Sequence, residues 1–211
     1  MNPRLQAAMA KLPLVAILRG VTPAEAPGIA EALLAEDFDL IEIPLNSPDP
    51  LTSIAALRRL APARAFVGAG TVLTPADVEA VARAGGDLIV TPNTNPDVIA
   101  RAKALGLVCL PGAATPTEAF AALAAGASGL KLFPAELASP SVVKALLAVL
   151  PQGTSLMPVG GIAPGNMAAW RDAGAAGFGI GSALYKPGKS AAAVRESALD
   201  FVAAFNGGQR A

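Results

Sequence analysis

Histidine is absent from the chain, and Cys109 is its only cysteine. The first absence removes the usual side chain for proton transfer near neutral pH and a frequent zinc ligand. The second excludes an intrachain disulfide and a thiolate metal cluster. Any active site must therefore work with lysine, carboxylates, hydroxyls and backbone groups, and no metal ion or cofactor is expected. Charge of one sign is lacking too: 16 basic and 16 acidic residues cancel. No global field favours nucleic acid or an anionic membrane, although a small anion site stays open. No uncharged apolar run approaches the ~18 residues of a membrane span, and no basic segment with a hydrophobic run and cleavage site opens the chain. A cytoplasmic protein is expected.

Aromatic residues make up only 4% of the sequence, while alanine exceeds a fifth of it, a balance suited to helices lying close against a sheet. With 211 residues, 53% hydrophobic and 15% charged, the chain fits a single domain spanning 1–211. Short β-rich runs alternate with alanine-rich helical stretches, as successive βα units require. Strands are expected at Leu14 to Arg19, Asp39 to Ile43, Ala65 to Ala69, Leu88 to Thr91, Leu107 to Leu110, Gly129 to Phe133, Ser155 to Val159 and Ala176 to Ile180. Thr-Pro pairs at Thr22-Pro23, Thr74-Pro75 and Thr115-Pro116 mark helix starts, with Glu25, Asp77 and Glu118 in the first turns. Gly85-Gly86, Gly106, Gly126, Gly153 and Gly174 fall where helices end. A short helix around Leu5 to Ala10 precedes the first strand, and a last one covers Ala191 to Phe205. Eight units of roughly 25 residues favour an α/β fold of the (β/α)8 TIM-barrel type over a doubly wound sheet.

A barrel gathers its reacting groups at the carboxyl ends of the strands, so polar residues there carry the functional reading. Glu42 in Leu40-Ile41-Glu42-Ile43-Pro44 and Lys131 in Leu130-Lys131-Leu132 interrupt apolar strands. Period-two alternation turns both away from their apolar neighbours and into the barrel. They could form a structural ion pair. Alternatively, an enclosed lysine loses its proton readily and attacks a carbonyl while the carboxylate shuttles protons. The other five lysines, Lys11, Lys103, Lys144, Lys186 and Lys189, stand in contexts that predict exposure. Arg19 at the end of the first strand offers a planar fork for a carboxylate or phosphate. Gly68-Ala69-Gly70-Thr71 combines close backbone approach with a hydroxyl, and Thr91-Pro92-Asn93 and Pro111-Gly112 shape a pocket wall. Val159-Gly160-Gly161 and Gly179-Ile180-Gly181-Ser182 present backbone N–H groups where barrels commonly bind phosphate. Neither glycine run is a dinucleotide fingerprint or a P-loop.

From Leu12 to Tyr185 the chain resembles the 2-keto-3-deoxy-6-phosphogluconate aldolase family. The resemblance is densest at Glu42-Ile43-Pro44-Leu45-Asn46-Ser47-Pro48, Gly68-Ala69-Gly70-Thr71-Val72, Leu130-Lys131-Leu132-Phe133-Pro134 and Val159-Gly160-Gly161. It implies a class I aldolase in which Lys131 is the Schiff-base lysine and Glu42 the general acid/base. It further implies Arg19 and Thr71 as carboxylate contacts, Gly161, Gly181 and Ser182 as phosphate contacts, and Pro92, Phe133, Val159 and Gly160 as substrate contacts. The implied partners are a 2-keto-3-deoxy-6-phospho sugar acid, pyruvate and glyceraldehyde 3-phosphate, and a second expectation is a homotrimer. Asn46 stands where the gluconate-type pattern carries arginine, and Val159 where it carries threonine. These departures point to the branch handling the C4-epimeric sugar acid, with dual specificity as the alternative. A metal-dependent aldol reaction and a noncatalytic sugar-phosphate-binding barrel are the rival readings; the latter leaves the lysine–glutamate arrangement harder to explain.

Overall fold

The computed structural model describes residues 2–207 of the chain; Met1 and residues 208–211, which fall within the expected domain, lie outside the described residues. Parallel strands β1 (Leu14–Ile17), β2 (Leu40–Pro44), β3 (Phe66–Gly70), β4 (Leu88–Val90), β5 (Val108–Leu110), β6 (Gly112–Ala113), β7 (Leu130–Leu132), β8 (Leu156–Pro158) and β9 (Phe178–Ile180) alternate with helices. They form two ladders, β5-β4-β3-β2-β1-β9 and β6-β7-β8. The helices are α1 (Pro3–Lys11), α2 (Ala26–Ala35), α3 (Pro50–Leu60), α4 (Pro75–Arg83), α5 (Pro96–Ala104), α6 (Pro116–Ala125), α7 (Pro140–Leu147), α8 (Met167–Asp172) and α9 (Ala191–Phe205). No helix among the described residues is long and apolar enough to cross a membrane.

All eight expected strand positions carry strand; the second and third keep their length one residue further on, the others are shorter, and the fifth continues past its expected end. Pro111 has no N–H to give a ladder, so the strand splits there into β5 and β6. β5 pairs with β4, whereas β6 pairs with β7, and the Pro111 carbonyl accepts from Lys131 N at 2.9 Å. On the other side, Val159 beyond β8 bridges Gly179 of β9.

Strand alternation sorts the side chains into two cores. Leu14, Ala16, Ile41, Ile43, Val67, Ala69, Ile89, Leu130, Leu132 and Ile180 pack with the helices, while Val15, Leu40, Phe66, Leu88, Val108 and Met157 form a separate cluster with Leu5 and Ala8 of α1. Full burial of each large aliphatic side chain contributes about 1.5–3 kcal/mol. α1 starts where Asn2 caps it, its side chain accepting from Arg4 N at 2.9 Å, and Pro3 supplies a preset first turn. Arg4 stacks over the Phe66 ring at 3.7 Å and pairs with Asp87, whose other oxygen accepts from Val67 N at 2.9 Å. α1 thereby covers the amino-terminal side of the strands and leaves the carboxyl side for the site.

Thr74 and Thr115 cap their helices in reciprocal boxes with Asp77 and Glu118. Thr22 does not behave likewise. Its N–H and hydroxyl donate to Glu25, and α2 starts only at Ala26. Pro27 has no N–H for the Pro23 carbonyl, so regular helix bonding cannot begin at Pro23. Gly85, Gly106, Gly126, Gly153 and Gly174 take the expected left-handed conformation, with Gly86 outside it.

Candidate active site

β2 and β7 carry Glu42 and Lys131 toward one cavity of about 440 Å³ at the carboxyl ends of the strands. Both are buried, at 2% and 8% exposure. No ion pair among the described residues joins them, so the structural-pair reading does not describe their geometry. Glu42 Oε2 is instead buried without a hydrogen-bond partner in the protein. Burial pushes the Glu42 carboxyl up to about 7, with Lys131 and Arg19 opposing the rise. Burial also holds Lys131 below the ordinary lysine range; Glu42 opposes this, and the Arg19 charge adds to it. The amine lies over the Phe133 ring, 4.3 Å from its centroid. This is a lysine biased toward its nucleophilic neutral form beside a carboxyl that titrates near neutrality, a combination suited to carbonyl chemistry.

The strands leave room for the Glu42 carboxylate by using glycine at position 70, the register partner of Pro44. A Cβ on Gly70 would lie 1.9 Å from Glu42 Oε2 and 2.4 Å from its Cδ. Thr71 follows directly with φ +57°, a left-handed conformation costly for a β-branched residue.

Arg19 lies at the cavity rim, and its guanidinium donates to Asn46 Oδ1 at 2.8 Å. The adjacent turns are tied by Ser47, whose hydroxyl accepts from Gly20 N at 2.9 Å. Across the cavity, Val159, Gly160 and Gly161 leave β8, and Gly181 and Ser182 leave β9. Asn166 braces the first of these loops, accepting from Ala163 N at 3.0 Å and donating to Gly161 O at 2.8 Å. No three histidine, cysteine, aspartate or glutamate side chains cluster as metal ligands among the described residues.

The cavity thus gathers Arg19, Glu42, Lys131, Phe133, Val159, Gly160, Gly161, Gly181 and Ser182 from the expected set. Thr71 and Pro92 do not line it: Thr71 follows β3 beside the Glu42 cradle, and the Pro92 carbonyl packs against the Cα of Gly112. Sequence reasoning missed Glu136, Lys186 and Tyr185 on the cavity wall, and Asn166 behind it. Lys186 is exposed as expected, along with Lys11, Lys103 and Lys144, but at this rim; Lys189 is part-buried and donates to Leu184 O. Burial pushes the Cys109 thiol up to about 12, leaving it an inert core group.

The sequence pattern described as KDPG and KHG aldolase matches residues 5–200. A probable 2-dehydro-3-deoxy-6-phosphogalactonate aldolase of Rhizobium meliloti (strain 1021) is 52% identical over 201 residues, covering 94% of this chain and 95% of the relative. The 2-dehydro-3-deoxy-6-phosphogalactonate aldolase of Escherichia coli (strain K12) is 50% identical over 195 residues, covering 92% and 95%. A solved structure described as native KDPGal superposes with a TM-score of 0.91 at 50% identity, covering 93% of this chain and 95% of that one. With a family match over nearly its whole length and a lysine–glutamate cavity at the strand ends, the chain belongs to the KDPG and KHG aldolase family and is a carbon–carbon lyase.

Proposed function

We propose that this aldolase cleaves 2-dehydro-3-deoxy-6-phosphogalactonate reversibly to pyruvate and D-glyceraldehyde 3-phosphate through a Schiff base on Lys131. The observation that carries the reading is the buried Lys131 amine, held below the ordinary lysine range, in one cavity with a carboxyl raised to about 7. The names of the two half-identical relatives support the substrate.

Neutral Lys131 adds to the C2 ketone, and the carbinolamine loses water to give an iminium ion. Glu42 takes the C4 hydroxyl proton, directly or through water; the C3–C4 bond breaks, and its electron pair flows into the iminium as an enamine. Glyceraldehyde 3-phosphate leaves. The proton held by Glu42 returns to C3, and hydrolysis of the resulting pyruvate iminium restores Lys131. A carboxyl titrating near 7 is suited to both taking and returning that proton. Arg19 receives the substrate carboxylate, with Asn46 holding the arginine in place; Thr71, beside the Glu42 cradle and off the cavity wall, is its second contact by family resemblance alone. Gly161, Gly181 and Ser182 receive the phosphate through backbone and hydroxyl donors. Phe133, Val159 and Gly160 shape the wall, with Pro92 behind it against Gly112.

The proposal includes a closed (β/α)8 barrel forming one domain, supported by the bonds at both seams between the ladders, Lys131 N to Pro111 O and the Val159–Gly179 bridge. It includes a homotrimer, which the strongly exposed apolar side chains Leu137 and Val149, at 87% and 58%, make physically reasonable. Cytoplasmic residence remains part of the reading.

Preference for the galactonate epimer rests on Val159, an apolar wall residue that offers no hydrogen bond to a hydroxyl. Turnover of the two purified C4 epimers under matched conditions tests the assignment. The galactonate epimer is expected to show the larger kcat/KM; a larger value for the gluconate epimer overturns the substrate assignment and leaves the aldolase chemistry standing.

A further inference from the structure

The 3₁₀ turn Ala135–Leu137 beyond β7 brings into the cavity wall a carboxylate that the scheme above does not use. A Cβ on Gly160 would lie 1.9 Å from Glu136 Oε2 and 2.5 Å from its Cδ, and a Cβ on Gly161 would lie 3.0 Å from its Cγ. Glu136 therefore rests on the bare Cα faces of two consecutive glycines, both in left-handed conformations, at φ +111° and +65°. Any other residue at Gly160 would expel the carboxylate. Glu136 is exposed, and among the described residues its carboxylate takes no ion pair or hydrogen bond, which leaves both oxygens open to a donor in the cavity.

Its position relative to the substrate follows from its two neighbours. Glu136 follows the strand that carries Lys131, five residues on from it, and touches Gly161, assigned to the phosphate, and its neighbour Gly160. It therefore flanks the carbons between C2, which bonds to Lys131, and C6, which bears the phosphate. An ionised carboxylate only accepts hydrogen bonds, and so does a fully ionised phosphate; the two cannot bond to each other. The hydrogen-bond donors in that stretch of substrate are the C4 and C5 hydroxyls, and the C4 hydroxyl belongs to Glu42. The cations Lys186 and Arg19 line the same cavity and lessen the repulsion between Glu136 and the phosphate.

We propose that Glu136 is a specificity-determining residue that accepts a hydrogen bond from the substrate's C5 hydroxyl, which in the addition direction is the 2-hydroxyl of glyceraldehyde 3-phosphate. The inference rests on the Lys131 Schiff-base reading. It makes the enzyme select aldehydes that carry a hydroxyl beside the carbonyl, in addition to the phosphate.

The test compares two acceptors in the pyruvate addition reaction, D-glyceraldehyde 3-phosphate and 3-oxopropyl phosphate, which keeps the phosphate and lacks the hydroxyl. Glu136→Ala is expected to lower kcat/KM for the first by about tenfold and to leave the second within about twofold. Glu136→Gln retains an accepting oxygen in the same shape and should lie between wild type and Glu136→Ala for the hydroxylated acceptor, so it carries the test should truncation unsettle the glycine loop. Equal changes for both acceptors would make Glu136 a modulator of phosphate binding alone and overturn the proposal. Unchanged kinetics with both would overturn it as well. Borohydride trapping of pyruvate on Lys131, run on each variant and on wild type, separates the two levels. Absence of trapping in wild type defeats the Schiff-base reading, whereas normal trapping with an unchanged acceptor ratio defeats only the role of Glu136.

Discussion

Gly70→Ala adds one methyl group to the chain and aims it at the carboxylate of Glu42, the proposed proton shuttle. The new Cβ would meet Glu42 Oε2 at 1.9 Å, Cδ at 2.4 Å and Oε1 at 2.5 Å, where ordinary contact begins near 3.4 Å. The carboxylate must retreat by roughly 1.5 Å, because the methyl is fixed to β3 and the strand is held by Leu45 N donating to Gly70 O at 2.8 Å. Misplacing a reacting group by about 1 Å costs on the order of 100-fold in rate. The expected outcome is a fall of about 100-fold in kcat/KM for aldol cleavage, followed by the appearance of pyruvate. Pyruvate trapping on Lys131 should persist, since the nucleophile is untouched. Overpacking of this kind destabilises by about 1–3 kcal/mol, so a thermal melt should show a cooperative transition a few degrees lower. Wild-type kcat/KM in a folded Gly70→Ala protein would refute both the cradle and the proton-shuttle role of Glu42.

The pH dependence gives a second measurement. Glu42 must be ionised to take the C4 proton, so kcat/KM for cleavage should fall as pH drops through about 7, and Glu42→Gln should lose that limb along with most of its turnover. The same raised value fixes the sign for stability: the folded state holds this proton more tightly than the unfolded chain, so its contribution is lost as pH rises from 4.5 to about 7. Stability curves of Glu42→Gln and wild type should therefore diverge across that window; parallel curves would contradict the burial argument. Thr71→Gly relieves a left-handed β-branched residue; melting should show Tm kept or raised, while the substrate KM rises about tenfold if the hydroxyl holds the carboxylate. Val159→Thr should move the epimer preference toward the gluconate substrate by about tenfold, since a hydrogen bond from threonine is worth about 1 kcal/mol or more; an unchanged ratio would remove Val159 from specificity.

The buried charges Glu42 and Lys131 were legible because a charge inside a period-two apolar strand has few innocent explanations. Glu42 and Lys131 each break such a run, and burial in the fold agrees. The glycine loops after β8 and β9 were legible for a similar local reason, their position at strand ends. Glu136 was not, because a lone acidic residue in a short turn after a strand resembles any solvated charge until the fold seats it on Gly160 and Gly161. Asn46 read as a missing recognition group, yet it binds Arg19, a contact between residues 27 apart in sequence. Gly70 read as a site of close backbone approach, and only the pairing of β2 with β3 puts the Glu42 carboxylate against its Cα. At the level of elements, the capping boxes at Thr74 and Thr115 needed only neighbours, whereas the delayed start of α2 turned on Pro27, and the split of the fifth strand on Pro111.

The central claim is that Lys131 is the nucleophile, and reduction of the intermediate tests it most directly. The protein is incubated with pyruvate and borohydride, digested, and the modified peptide identified by mass spectrometry. One stable pyruvate-derived adduct on Lys131, absent from Lys131→Ala together with turnover, is the result this account predicts. Efficient trapping on any of the other five lysines, or full turnover by Lys131→Ala, would contradict it.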